Sequence, residues 1–159
     1  MEEVPITLAG KNRLQAELDQ LVKVDREEIK IAISEARELG DLKENAEYHS
    51  AKEKQAILEG RIAQLQGIMA RSRVVEVSKI KSTKIVFGAT VNIHDTERGI
   101  HHKYKIVGED ESDFKDNKIS YTSPLGRALI GKEEGDTVIV KAPKGDVEYE
   151  IESFEFIDE

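Results

Sequence analysis

The 159-residue chain has no cysteine and no tryptophan, only three prolines, and 5% aromatic residues. Without thiols, disulfide frameworks, thiolate zinc sites and cysteine nucleophiles are excluded, a reducing compartment is permitted, and metal chemistry is left to carboxylates and histidines. No run of about 18 apolar residues occurs, so no membrane span is expected. The opening Met1-Glu2-Glu3-Val4-Pro5 carries acid where a signal peptide needs base, which points to the cytoplasm. No Gly-rich phosphate loop, nucleophile elbow or internal repeat is present, and a self-contained enzyme is not supported. Positive charge is also in the minority. Lys and Arg number 24 against 32 Asp and Glu, a net charge of −8 that argues against autonomous binding to bare nucleic acid. With 38% hydrophobic residues the chain still has the composition of a folded protein.

What is there divides into two textures. The prolines are Pro5, Pro124 and Pro143, so Ile6 to Ser123 is free of the strongest helix breaker. Thr7 is placed to cap a helix starting near Gly10 or Lys11. Leu14, Leu18, Leu21 and Val22 form an apolar stripe that resumes at Ile29, Ile33 and Ala36, and Leu39-Gly40 ends it. Tyr48, Ala51, Gln55, Leu58, Ile62, Leu65 and Met69 then alternate steps of three and four, a heptad seam. The short interval between the two patterns predicts an antiparallel hairpin, with an arm of about 43 Å at 1.5 Å per residue. After Val77 the texture becomes strand-like, at Ile85–Ile93, Lys103–Val107, Thr137–Val140 and Val147–Ile151, with a short helix over Pro124–Ile130. Seven of the eight aromatics lie here and are expected in the core or on the sheet surface. The fold class is therefore α+β in two domains, residues 1–76 and 77–159. Charge divides unevenly, with 12 basic and 14 acidic residues in 1–75 (net −2) and 12 and 18 in 76–159 (net −6). The acidic run Glu109-Asp110-Glu111 reads as a solvated loop.

The chemistry concentrates at the hairpin tip, residues 40–45. Asp41 and Glu44 are spaced i and i+3, and two readings fit that spacing. In one, Asp41 is a helix N-cap and Glu44 its capping-box partner. In the other, the two carboxylates contribute to a Mg²⁺ site, since Mg²⁺ commonly takes one or two protein carboxylates and draws its other ligands from water and phosphate. His49 reads as a flanking polar position. His101 and His102, adjacent on a strand, point to opposite faces and make a poor zinc pair. Arg37 and Lys52, taken singly, read as surface charges, and Ser123-Pro124 as a turn and helix start.

Ile33-Ser34-Glu35-Ala36-Arg37-Glu38-Leu39-Gly40-Asp41-Leu42-Lys43-Glu44-Asn45-Ala46-Glu47-Tyr48 closely resembles the tip motif of the bacterial GreA/GreB transcript cleavage factor family. Pro5-Ile6-Thr7-Leu8, Glu59-Gly60-Arg61-Ile62, Val86-Phe87-Gly88-Ala89-Thr90-Val91, Ser123-Pro124 and Leu129-Ile130-Gly131-Lys132 are similar to further segments of it. The resemblance implies an N-terminal coiled-coil hairpin and a C-terminal FKBP-like domain that docks on bacterial RNA polymerase. The hairpin then enters the secondary channel, and the polymerase itself hydrolyses the 3′ end of backtracked RNA. Asp41 and Glu44 would help hold a Mg²⁺ shared with the polymerase, none being expected in the free protein. Arg37 and Lys52 match a basic patch directed at the RNA 3′ end, and Ser123 and Pro124 a docking loop. The free protein is expected to be monomeric, without a membrane partner. Two alternatives compete: a family paralogue that inhibits polymerase through the same channel, and a coiled-coil chaperone or peptidyl-prolyl isomerase. Retention of Asp41, Leu42, Glu44 and Asn45 favours cleavage over inhibition. The shortage of aromatic residues disfavours an isomerase pocket.

Overall fold

The computed structural model describes residues 3–158. Met1, Glu2 and Glu159 lie outside the described residues, and with them the outermost ends of the two expected domains. The chain forms two compact units. One is Lys11–Arg71, and the other joins residues 3–10 to residues 72–158. Against the expected single boundary after residue 76, residues 3–10 separate from the hairpin. They join the β-rich unit because strand β1 (Val4–Thr7) pairs in parallel with β2 (Ser72–Val75), a contact between segments some 70 residues apart that local patterning does not reveal.

Helix α1 (Leu8–Gln20) starts two residues earlier than expected. Thr7 caps it, its Oγ1 accepting a hydrogen bond from the Gly10 N–H at 3.0 Å. The arm continues through a π-helical turn, Leu21–Asp25, into α2 (Arg26–Glu38). That turn has a reason in the sequence. Leu14 and Leu21 are one heptad apart, so an unbroken repeat would place Glu28 and Glu35 on the seam. The inward residues are instead Ile29 and Ala36, one position later, with Ile33 between them. The wider turn absorbs the extra residue: the Arg26 N–H donates to the Leu21 carbonyl five residues back, and the Gln20 amide reaches Asp25 Oδ1 at 3.1 Å.

Helix α3 (Ala46–Arg71) returns antiparallel. Ala51, Leu58, Ile62, Leu65 and Ile68 are buried along it, with Tyr48, Gln55 and Met69 half-buried, so the heptad seam is present with Ile68 added. Leu14, Ile33 and Ala36 are the buried residues of the facing arm. Two ion pairs clasp the flanks: Arg61 Nε and Nη2 hold Glu17 at 2.6 and 2.8 Å, and Arg26 Nε and Nη2 hold Glu59 at 3.1 and 2.8 Å.

The second unit is built on five strands, β3 (Thr90–Asp95), β4 (His101–Val107), β5 (Lys118–Ser120), β6 (Thr137–Ala142) and β7 (Gly145–Glu155). They are ordered β5-β4-β3-β7-β6, with β4 and β5 parallel and the other pairs antiparallel. The register shifts at Asn92/Ile93, which sit opposite Ser153 and Ile151, leaving Glu152 as the extra residue of a bulge. The core face carries Val91, Ile93, Tyr104, Ile106, Ile119, Val138 and Ile151, closed by Leu129 of the short helix α4 (Pro124–Leu129). Ile85–Ala89, expected as strand, is irregular: Ile85 is tied to the Lys132 carbonyl and the Gly131 N–H rather than to a ladder, and the strand begins at Thr90. Phe114 departs from the expected use of aromatics, being 72% exposed.

The acidic run also departs from expectation. Glu111 is buried, and its carboxylate accepts from the Thr7 N–H (3.0 Å), the Gly108 N–H (2.9 Å) and the Thr7 hydroxyl. Gly10 lies against the same carboxylate so closely that a Cβ would collide with it. One carboxylate thus fastens β1 and the helix start to the loop after β4, satisfying amides that would otherwise be buried without partners.

Candidate functional site at the hairpin tip

The turn between α2 and α3 is set by two residues that cannot easily be exchanged. Gly40 follows the last helical residues at φ 122°, a conformation that favours glycine. Asn45 then does two jobs. Its side-chain oxygen accepts from the Tyr48 N–H at 3.0 Å, capping α3, and its amide donates to the Ala36 carbonyl at 2.5 Å near the end of α2. A single side chain therefore fixes both helix ends across the loop. His49 adds a tie from its ring to the Lys43 carbonyl at 3.1 Å, and the Arg37 guanidinium sits 5.9 Å from the centre of the Tyr48 ring.

Because Asn45 caps the helix, the capping-box reading of Asp41 and Glu44 is corrected. Helix α3 begins at Ala46, too late for Asp41 to cap it. Among the described residues Asp41 Oδ1 accepts only from the Lys43 N–H two residues on, at 2.9 Å, in a local turn. Glu44 has no hydrogen-bond or ion-pair partner among the described residues, and both side chains are exposed. They line one open hollow of about 360 Å³ together with Leu39, Asn45, Ala46 and Glu47. Glu47 is a third carboxylate beside them, within the tip motif but without an expected role. Its position in the first turn of α3 was readable once the cap is assigned to Asn45.

The donor set suits a hard divalent cation such as Mg²⁺, offering carboxylate oxygens on an exposed loop. Among the described residues no three His, Cys, Asp or Glu side chains are grouped to hold a metal by themselves. A cation bound here would draw its remaining ligands from elsewhere.

The other residues singled out from the sequence fall in separate places. Lys52 lies exposed on α3, its ammonium 3.2 Å from Gln55 Oε1. Ser123 and Pro124 start α4 as cap and first residue. The Ser123 hydroxyl donates to the Ser120 carbonyl at 2.6 Å and accepts from the Gly126 N–H at 3.1 Å. His101 and His102 diverge: His101 pairs with Glu152 at 2.6 Å and stacks on His94, while His102 packs against Tyr104 and Tyr149.

A long helical hairpin that presents a carboxylate-bearing loop, followed by a separate β-rich unit, defines an α+β protein whose hairpin displays functional groups at its turn. Residues 4–74 match the family described as "Transcription elongation factor, N-terminal", and residues 80–156 match "Transcription elongation factor, GreA/GreB, C-term". The chain is 51% identical over 158 residues to the transcription elongation factor GreA of Thioalkalivibrio sulfidiphilus, covering 99% of this chain and 100% of that one. It is 56% identical over 151 residues to GreA of Hyphomonas neptunium, covering 95% and 96%. Among solved structures, GreA factor homolog 1 of Thermus thermophilus aligns with a TM-score of 0.45 at 28% identity, over 97% of this chain and 99% of that one. The chain belongs to the GreA/GreB family of transcription elongation factors.

Proposed function

We propose that this protein docks on bacterial RNA polymerase and inserts its hairpin into the secondary channel. There it stimulates the polymerase's own Mg²⁺-dependent cleavage of the 3′ end of backtracked RNA, rescuing arrested complexes. The observation that carries this reading is the pair Asp41 and Glu44, exposed on a loop pinned by Asn45 at the turn of a hairpin about 40 Å long, α3 having 26 residues at 1.5 Å each. Such an arm suits delivery of two carboxylates into a recessed site that already holds other ligands. A two-metal centre is completed this way when neither protein carries the whole ligand set. Asp41 and Glu44 would hold the shared Mg²⁺, which when bound activates water and neutralises developing phosphoryl charge. The chain is then an accessory factor rather than a nuclease.

In the same reading Arg37 and Lys52 face the RNA 3′ segment, and the β-rich unit is an FKBP-like docking module contacting the polymerase through the Ser123-Pro124 helix start. It acts as a monomer in the cytoplasm. The test is a backtracked elongation complex with labelled RNA. The protein should accelerate 3′-end shortening, and Asp41→Asn or Glu44→Gln should abolish the acceleration while binding persists. Asp41→Asn is the sharper variant, because the amide keeps the acceptor for the Lys43 N–H and removes only the charge. Slower RNA extension without cleavage would favour the inhibitory paralogue. Absence of polymerase binding would overturn the proposal.

A further inference from the structure

We propose that the groove along the hairpin between α2 and α3 is a docking site for a basic amphipathic helix of a partner protein, about four turns long. The seam buries Ile33, Ala36, Ala51 and Leu58 between the two helices, and the row beside it faces outward. Asp25, Ala32 and Leu39 recur along that row at seven-residue spacing with Glu28 and Glu35 beside them, and Glu47, Ser50 and Lys54 line the facing edge on α3. Between the edges lies an open hollow of about 1020 Å³, at the top of the range for small-molecule pockets and elongated along the arm. Ala32, Ala46 and Ser50 are small enough to let another backbone approach closely, while Leu39, 66% exposed, leaves apolar surface uncovered at one end. From Asp25 to Leu39 the rise is about 21 Å at 1.5 Å per residue, the length of a 14-residue helix. Two antiparallel helices with a groove of that length take a third helix as a bundle does, apolar stripe inward.

The rim selects the occupant. Asp25, Glu28, Glu35 and Glu47 line the groove with a single base, Lys54. Among the described residues Asp25 accepts only from the neutral Gln20 amide, and Glu28, Glu35, Glu47 and Lys54 have no hydrogen-bond or ion-pair partner. Two nearby bases of α2 are engaged elsewhere, Arg26 with Glu59 and Lys30 with Glu27. Four carboxylates against one ammonium leave the rim with a surplus of three negative charges. A second copy set groove to groove would bring these carboxylates against their own kind, and a nucleic-acid strand would add more negative charge. A helix with lysine or arginine flanking its apolar stripe is the complementary partner. Each exposed ion pair is worth little, so apolar burial supplies most of the affinity and the rim supplies the choice of partner. The groove runs into the hollow at the tip, since Leu39, Ala46 and Glu47 line both. A helix seated there ends beside Asp41 and Glu44. Docking at this flank requires no polymerase, so its test stands apart from the cleavage assay.

The test is titration of the ¹⁵N-labelled full-length protein with a synthetic peptide of about 14 residues, blocked at both ends, with leucines at i, i+3, i+4 and i+7 and lysines flanking them. Chloride at about 0.15 M screens non-specific attraction. Saturable shifts are expected at residues 28–39 and 46–58. A peptide with the same leucines and glutamates in place of the lysines should bind at least about tenfold more weakly, as should one of the same composition with the stripe scrambled. Ala32→Lys, at an exposed helical position on the groove, fills it and adds positive charge, and should weaken binding more than about tenfold. Glu28→Gln and Glu35→Gln should each weaken it about twofold to threefold, and Glu53→Gln, at an exposed residue outside the groove, should leave it unchanged. All these substitutions are on the surface, so loss of binding with unchanged helix content reports the groove rather than the fold. Shifts that never saturate, equal binding of the scrambled or acidic peptide, or binding that survives Ala32→Lys overturn the proposal. A free protein that sediments as a dimer and becomes a monomer with Ala32→Lys would assign the groove to a second copy and overturn it as well.

Discussion

In the hairpin every buried side chain among the described residues is apolar, from Leu14, Ile33 and Ala36 to Ala51, Leu58, Ile62, Leu65 and Ile68. The β-rich unit buries Thr7, Thr90, Asp95, Lys105, Glu111 and Lys118 beside its apolar core. The hairpin keeps its polar groups outside, where its candidate chemistry lies, and the sheet unit uses polar groups as internal fasteners. Substitution should therefore separate stability from function in the hairpin and merge them in the sheet unit. The largest expected effect is at Glu111. Replacing it with Ala strands the Thr7 and Gly108 amides, and unfolding by urea should show a loss of about 3–5 kcal/mol. Glu111→Gln retains acceptor oxygen and should lose less.

The hairpin answers to volume instead. Leu65 is fully buried, and Leu65→Ala should cost about 3 kcal/mol by opening a cavity in the seam. Leu65→Met should cost less than about 1.5 kcal/mol, because an apolar seam accepts a swap of similar volume. If the methionine variant proved as damaging as Glu111→Ala, the distinction between a fluid-tolerant seam and a fixed polar latch would collapse.

That same division governs how much was legible in the sequence. The heptad of α3, the glycine ending the first arm and the Thr7 cap were readable because each depends on residues within one or two turns. The β1–β2 pair, the burial of Glu111 and the cross-strand pairing of Lys105 with Lys118 were not, because each joins segments distant in sequence that no local period connects. The π-turn lies between these cases. Its signal is the eight-residue step from Leu21 to Ile29, visible in the chain but hidden when the stripe is read as continuous. At the tip, Asp41 and Glu44 were found by spacing and resemblance. The capping-box reading does not hold because Asn45, one residue before α3, takes the cap.

Asn45 gives the next effect in size. Asn45→Ala removes both the cap and the tie to Ala36, and should cost about 1 kcal/mol in thermal unfolding. Asn45→Asp should restore the cap while losing the donor to Ala36. Smaller still is the Glu17–Arg61 pair. The Arg61 hydrogen bonds hold the Glu17 carboxyl below its usual range, against an opposing push from burial, with the charge of Arg61 adding to the lowering. Its stabilisation is fully present above the unfolded value of about 4.3 and is lost as pH falls through the depressed folded value. Both side chains are more than a third exposed, so solvent screening limits the pair to about 0.5 kcal/mol. Glu17→Gln should remove that increment at neutral pH and flatten the acid limb of the stability curve, measured by urea midpoints from pH 3 to pH 7.

The smallest stability effect belongs to the tip, and it draws the contrast between the two units most sharply. Asp41 holds one local amide and Glu44 holds nothing among the described residues, so the double change Asp41→Asn with Glu44→Gln removes two charges from an exposed loop without stranding a buried group. Surface changes of that kind lie within about 0.5 kcal/mol. The unfolding midpoint should stay in place, the seam amides from Ala51 to Ile68 should keep their chemical shifts, and RNA cleavage in the elongation complex should nevertheless be lost. A double variant that unfolded early would mean the tip carboxylates contribute to the hairpin's fold, making the hairpin resemble the sheet unit with its Glu111 latch. Retained stability with lost cleavage would place function on the hairpin's surface chemistry alone.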